Sequence, residues 1–311
     1  MKRIQYDRYG GPEQLRLDEV PLAEPGRGQI RVRVMAASVN PMDWVIRSGR
    51  VRFMTGSRFP RGLGHDFAGR VDAVGPGVTR FKLGDEVFGA TGLKPAGTFA
   101  EVLVTDASTA VIKPPGLSFE IAAALPIVSI TAWTGLMDKA RLRQGQSVFI
   151  SGCLGGVGRA AVQLARSRGA TVIGSCAAAA RDEALALGLS EAIDYRSFTV
   201  EDVRKRFDVV FDTAGALSLN QCDALLKPGG KALHIVNRPA TFLRGLVSSR
   251  HETVFGTPSE AGWAGIIAAA LKGELAPKIG EIVPLTEAIP AIIRLETTGL
   301  PKGKVIIVPP A

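Results

Sequence analysis

The run Ser147-Val148-Phe149-Ile150-Ser151-Gly152-Cys153-Leu154-Gly155-Gly156-Val157-Gly158 is the strongest chemical signal in this 311-residue chain. It reads as a strand entering clustered glycines, and the following Arg159–Ala165 segment reads as a helix with apolar positions at Val157, Ala161, Leu164 and Ala165. Glycine permits a tight turn, its bare backbone lets a pyrophosphate approach, and a helix N-terminus offers unpaired N–H donors and a positive dipole end. Gly155, Gly156 and Val157 are therefore the candidate pyrophosphate contacts of a dinucleotide. An acidic residue ending the next strand would bind the ribose 2′-hydroxyl of NAD. None lies between Gly169 and Arg181, and Thr171–Ala177 ends in small neutral residues. That leaves room for a 2′-phosphate near Ser175, Arg181 and Tyr195, so NADPH, the NADP cofactor, is favoured over NADH.

The elements that must hold these residues fall into two textures. Residues 1 to about 115 carry short strand signals broken by turns: Gln29–Ala36, Gly69–Val74 and Phe81–Phe88, which suggest a compact β-barrel. From about 120 onward, apolar and helical segments alternate (Ser147–Ser151, Val157–Arg168, Thr171–Ser175, Arg181–Leu187, Ala192–Tyr195, Phe207–Asp212, Lys231–Val236) in the βαβ rhythm of a doubly wound parallel sheet. The tail returns to strands at Ile282–Leu285 and Lys304–Val308. The expectation is an α/β chain of two domains, 1–118 completed by 280–311, and 119–279. Hydrophobic residues at 46% and charged residues at 22% exclude a disordered chain. The N-terminus has no signal-peptide run, and Ile121–Met137, broken by Pro126, reads as buried helix rather than a membrane span. Three cysteines, Cys153, Cys176 and Cys222, suit a reducing compartment, so a cytoplasmic location is expected.

Several motifs in order carry a resemblance over essentially the whole chain: Ala36-Ala37-Ser38-Val39-Asn40-Pro41-Met42-Asp43, Gly64-His65-Asp66-Phe67-Ala68-Gly69, Gly84-Asp85-Glu86-Val87, Ala124-Leu125-Pro126, the glycine loop, Lys227-Pro228-Gly229-Gly230 and Gly303-Lys304-Val305. The chain resembles the medium-chain dehydrogenase/reductase superfamily, in its zinc-free quinone-oxidoreductase and enoyl-reductase branch. The resemblance implies a GroES-like barrel domain beside a Rossmann nucleotide-binding domain, with the site in the cleft between them, and commonly a homodimer, for which His251–Gly256 is a candidate edge strand. It also suggests Thr131 and the backbone of Val236 as contacts of the nicotinamide half. Zinc-dependent relatives use a cysteine, the histidine of a Gly-His-Glu motif and a further cysteine. Here only His65 matches that set, Asn40 stands in the first cysteine's place, and no cysteine occurs before residue 153. No metal is expected, and Cys153 is placed as a small residue against the cofactor.

Without a Lewis acid, the chemistry that fits is hydride delivery from NADPH to an electron-poor alkene or quinone, followed by protonation of the enolate. Relatives often supply a tyrosine after the Asn-x-x-Asp motif. Val51 holds that place here, which leaves bound water or His65 for the proton. Asn40 suits orienting a nicotinamide or substrate carbonyl, and suits equally a turn before Pro41. Asp43 reads as a residue holding the local loop, His234 as structural, and His251 has no partner that sequence reveals.

The net charge is +9, from 38 Lys and Arg against 29 Asp and Glu. Arg47, Arg50, Arg52, Arg58 and Arg61 lie in an acid-free segment, and Arg238, Arg244 and Arg250 form a second set. Two readings stand: a solvated basic surface, or recognition of an anionic carrier or coenzyme A bearing an acyl thioester, which would make the protein a carrier-linked enoyl reductase. Nucleic acid is disfavoured, because only Phe53 and Phe59 interleave the arginines. An NADPH-binding interaction protein with little turnover is the reading from outside enzymology.

Overall fold

The computed structural model describes residues 1–94, 96–235, 249–299 and 303–310. The first part of the chain forms strands β1 (Lys2–Tyr6), β2 (Arg16–Glu19) and β3 (Gln29–Ser38), helices α1 (Pro41–Arg47) and α2 (Arg52–Thr55), strands β4 (Arg61–Gly62), β5 (Asp66–Val74), β6 (Glu86–Ala90), β7 (Val102–Asp106) and β8 (Ala110–Ile112), then helices α3 (Phe119–Ala124) and α4 (Pro126–Trp133). The middle runs β9 (Ser147–Ser151), α5 (Gly156–Ser167), β10 (Thr171–Cys176), α6 (Arg181–Leu187), β11 (Glu191–Asp194), β12 (Phe207–Asp212), α7 (Leu219–Leu225), β13 (Leu226–His234), β14 (His251–Thr253) and α8 (Glu260–Leu271). The tail adds β15 (Ile279–Pro284), α9 (Ala288–Thr298) and β16 (Lys304–Val308).

Two compact units result, one from Met1–Ile127 with Pro277–Ala311, the other from Val128–Ala276. In the first, a path of strands in the order β15-β16-β3-β5-β6-β8, with β7 also on β3, wraps a core that includes Ile4, Val32, Phe67, Phe99, Leu295 and Ile307. Strand β3 alternates buried and partly exposed residues over Gln29–Val34 and then buries Ala36–Ser38 continuously, so its end delivers Ser38 to the interior. Strand β6 begins at Glu86, whereas the Phe81–Phe88 pattern suggests an earlier start. The intervening Lys82–Asp85 is a turn, with Asp85 N–H donating to Lys82 O at 3.2 Å and Gly84 at φ +86°.

The second unit carries the parallel sheet that its βαβ rhythm implies, in the order β11-β10-β9-β12-β13-β14. Its inner strands β9, β10 and β12 are buried along nearly their whole length and so read as apolar runs. Phe149, Phe207, Leu225 and Leu226 build its core, and Phe149 stacks on Phe198 at 5.4 Å. Strand β13 starts at Leu226, earlier than Lys231, because Pro228-Gly229-Gly230 bulges within the strand instead of ending it. Among the described residues no helix is long and apolar enough to cross a membrane.

Candidate active site

The order of the parallel sheet places the glycine turn at the carboxyl end of β9, beside β12, where the winding direction changes and such sheets bind ligands. Gly152 sits at φ +70°, a left-handed conformation suited to glycine, and Thr213 Oγ1 donates to Ser151 O at 2.5 Å to tie the turn to β12. Gly158 lets α5 approach: a Cβ there would collide with the Gly152 carbonyl oxygen and crowd Cys153 Cα at 3.0 Å. Gly155 differs, since its φ of −68° suits any residue and an added Cβ would meet only Gly152 O, at 3.3 Å. The backbone conformation at 155 thus does not demand glycine, an added Cβ would need only that oxygen to give by a few tenths of an ångström, and the bare position leaves a cradle that a side chain would fill. No side chain caps α5 at Gly155, and its first turn holds no acid, so the Gly155-Gly156-Val157 end can receive an anion. These residues fit a dinucleotide pyrophosphate.

Ser175 is buried, and its Oγ accepts from Gly152 N at 3.4 Å. Tyr195, 53% exposed, follows β11 and donates from its backbone N–H to Cys176 O at 3.1 Å, while Arg181 opens α6 and is exposed. The ends of β10 and β11 thus bring this trio to one end of the sheet. Arg196, which the sequence reading omitted, adds its guanidinium 5.6 Å from the Tyr195 ring centroid, a placement that its neighbour's identity alone could have suggested. Cys153 does not lie on the outer side of the turn. It is fully buried against Cys176 and the Gly174 backbone, and burial pushes its thiol up to about 12. Thr131, half-buried in α4, faces Gly256, where an added Cβ would stand 2.9 Å from Thr131 Oγ1. Val236 lies outside the described residues, as do Arg238 and Arg244.

The first unit carries a buried polar network assembled from β3, α1, β5 and β16. Asn40 caps α1: its backbone N–H donates to Asp43 Oδ2 at 2.7 Å. Its side-chain Nδ2 donates to Asp66 Oδ2 at 2.8 Å and Ser38 O at 3.2 Å, while its Oδ1 accepts from Lys304 Nζ at 2.6 Å. Every polar atom of the Asn40 side chain is therefore engaged within the protein. Asp66 also accepts from Ser38 Oγ at 2.9 Å and Ile127 N–H at 3.0 Å. Burial pushes the Asp66 carboxyl up and the Lys304 ammonium down, each opposed by the other's charge at 3.8 Å. Asp43 performs more than local loop holding, since its Oδ1 lies 2.8 Å from His65 Nδ1. His65 is 2% exposed, and its Nε2 has no hydrogen-bond partner among the described residues. Among the described residues, no three His, Cys, Asp or Glu side chains form a group that could hold a metal ion.

The arginine-rich segment divides. Arg47 is fully buried, pairs with Glu296 and donates to Gly10 O at 2.8 Å. Arg61 donates to Tyr9 Oη and Thr55 O, both at 2.7 Å. These two serve the fold, and Arg50, Arg52 and Arg58 remain exposed. His251 does have partners: His234 Nε2 lies 3.1 Å from its Nδ1, and Asp223 Oδ1 lies 3.2 Å from its Nε2.

Two family models match the chain, the alcohol dehydrogenase GroES-like domain over residues 26–115 and the zinc-binding dehydrogenase over residues 156–241. A chloroplastic quinone-oxidoreductase homolog of Spinacia oleracea is 31% identical over 253 residues, covering 78% of this chain and 77% of its own length. The quinone oxidoreductase from Coxiella burnetii has the same fold, with a TM-score of 0.90 at 30% identity over 99% of each chain. The Escherichia coli quinone oxidoreductase, solved in complex with NADPH, gives a TM-score of 0.83 at 26% identity over 99% of this chain and 100% of its own.

Proposed function

The chain belongs to the medium-chain dehydrogenase/reductase superfamily, in its quinone oxidoreductase branch, and we propose that this oxidoreductase uses NADPH, without zinc, to reduce an α,β-unsaturated carbonyl or a quinone. The observation that carries the reading is the glycine cradle at Gly155 before the side-chain-uncapped start of α5. In this reading Gly155, Gly156 and Val157 hold the pyrophosphate through backbone N–H groups. Ser175, Arg181 and Tyr195 surround the adenosine 2′-phosphate, and Thr131 and the Val236 backbone meet the nicotinamide. The NADPH in the Escherichia coli relative supports the choice of cofactor.

NADPH supplies a hydride, and the acceptor that suits it is a small molecule whose alkene is made electron-poor by a conjugated carbonyl. Independence from zinc is supported by the donor set: Asn40 is a neutral amide already held by Lys304 and Asp66, and no cysteine precedes residue 153. Asn40 then acts as a positioning residue, its side chain spent on the network. A homodimer is part of the same reading, with β14 ending the parallel sheet as the edge available for pairing.

The test is to follow oxidation of NADPH and NADH against enals, enones, quinones and acyl thioesters, with product identification and metal analysis of the purified protein. Preferential NADPH oxidation with an enone or quinone is the expected result. One zinc per chain required for turnover, or NADPH binding with no acceptor reduced, would refute the proposal.

A further inference from the structure

We propose that His65 is the catalytic acid of this reduction and that Asp43 is the residue that positions it. The inference rests on the reductase reading above and extends it to the proton. The buried network of Ser38, Asn40, Asp43, His65, Asp66 and Lys304 has its side-chain polar atoms paired within the protein, with His65 Nε2 left over. A buried ring nitrogen without a partner is costly to maintain, and a hydrogen bond to a ligand offsets that cost. The surroundings share this character. Thr91 donates its backbone N–H to His65 O at 2.9 Å and Thr98 donates to Gly64 O at 3.4 Å, and each also carries a buried hydroxyl with no partner among the described residues. His65 Nε2 and the hydroxyls of two residues bonded through their backbones to Gly64-His65 thus share this state.

Geometry also assigns the tautomer. Asp43 accepts the Asn40 backbone N–H on Oδ2 and faces His65 Nδ1 with Oδ1, so Nδ1 carries a hydrogen and exchange with a ligand passes through Nε2. The other candidate acids of this unit are committed elsewhere. The buried Tyr6 phenol is pushed up to about 12 by burial, and Tyr9 Oη is bound to Thr55, Gly56 and Arg61. Lys304 Nζ donates to Val39 O and Asn40 Oδ1.

The step balances. Hydride addition at the β carbon leaves the alkene's electron pair in an enolate. The Nε2–H bond of the imidazolium breaks, the enolate pair forms the new C–H bond at the α carbon, and the nitrogen keeps the pair of the broken bond. For a quinone the proton goes to the phenolate oxygen. Water then returns a proton to His65.

The experiment uses the full-length protein with NADPH and 2-methylcyclohex-2-enone in D2O, comparing wild type with His65→Asn, His65→Gln and Asp43→Asn. Wild type should place deuterium on one face of the α carbon. The His65 variants should lose about 10²- to 10⁴-fold in kcat and deuterate both faces, while NADPH affinity and the face of hydride addition stay as in wild type. Asp43→Asn should lose less in kcat and show a shifted pH profile. A denaturant midpoint and near-UV circular dichroism spectrum close to wild type certify that the unit carrying His65 is folded, and agreement of the Asn and Gln variants guards against a local packing artefact. A His65→Asn enzyme with wild-type kcat and single-faced α deuteration overturns the assignment of His65. A wild type that reduces no enone or quinone overturns the reductase reading, and this proposal with it.

Discussion

Lys304 donates from Nζ to Asn40 Oδ1 at 2.6 Å, and because a lysine ammonium can only donate, this bond fixes which way round the Asn40 amide lies. The amide nitrogen then has Asp66 and Ser38 O as its acceptors. Removing the cation by Lys304→Met leaves the Asp66 carboxylate buried beside an unmatched carbonyl, and losing one partner of a buried pair costs about 3–5 kcal/mol. The expected outcome is a large fall in the denaturant midpoint. The double variant Lys304→Met/Asp66→Asn should fall less than the sum of the two single changes, since it leaves no lone charge. Additive losses would show that the two side chains are not energetically coupled.

The glycines of the nucleotide turn should separate by experiment into those that serve the fold and those that serve a ligand. Gly158→Ala drives a methyl group into the Gly152 carbonyl and should cost about 1–3 kcal/mol of stability. Gly155→Val, at an ordinary φ, should leave the unfolding midpoint near wild type and weaken NADPH binding about 10- to 100-fold, the loss expected for one charge-assisted hydrogen bond. Fluorescence titration of NADPH beside denaturant melts reads both quantities. An equal loss of stability at the two positions would remove the case for a cradle at 155.

What could be read from sequence was whatever depends on local pattern. Strands β9 and β12 have the bounds that their apolar runs indicate, because buried parallel strands are continuous in composition, and β16 and α6 are punctuated by Gly303 and Gly188. The side-chain partners were not legible. Asn40 meets Lys304 across 264 residues, Arg47 meets Glu296 across 249, and His251 meets His234 only because β13 and β14 pair in parallel. A count of arginines between 47 and 61 therefore overstated the free positive charge, since Arg47 is drawn inside by a carboxylate far along the chain. The acid-free segment was real, but burial divided it.

That division has its own test. Arg47→Ala should destabilise the protein by about 3–5 kcal/mol, because the buried guanidinium holds Gly10 O and Glu296 together. Arg50→Ser, Arg52→Ser and Arg58→Ser, at exposed positions, should each stay within about 0.5 kcal/mol of wild type. Denaturant melts of the four variants check this, and a tolerant Arg47 would contradict its role as an internal tie.

Cofactor choice should respond to the surface end of the proposed nucleotide site. Arg181→Ala should raise KM for NADPH by about tenfold and leave KM for NADH near wild type, since only the former carries a 2′-phosphate for the guanidinium to meet. Steady-state kinetics with both cofactors decide it. An equal rise for the two would place Arg181 away from the phosphate.

The stacked histidines of the parallel sheet predict how stability changes with pH. The His234 and His251 rings lie 5.3 Å apart and 7° from parallel, and His251 Nε2 lies 3.2 Å from Asp223. Burial, reinforced by His251 and opposed by Asp212, holds the His234 imidazole below its ordinary value of 6.5. As pH falls through 6.5 the unfolded chain takes up a proton at His234 while the folded protein still resists it, so protonation favours unfolding. The contribution of His234 is complete above about 6.5, declines as pH falls, and levels off once pH is below the folded value. His234→Gln keeps a polar neighbour for His251 and removes the titration, so its stability should vary less between pH 7 and 5 than that of wild type. Thermal melts across that range measure the slope, and an unchanged slope in the variant would assign the pH dependence to other groups.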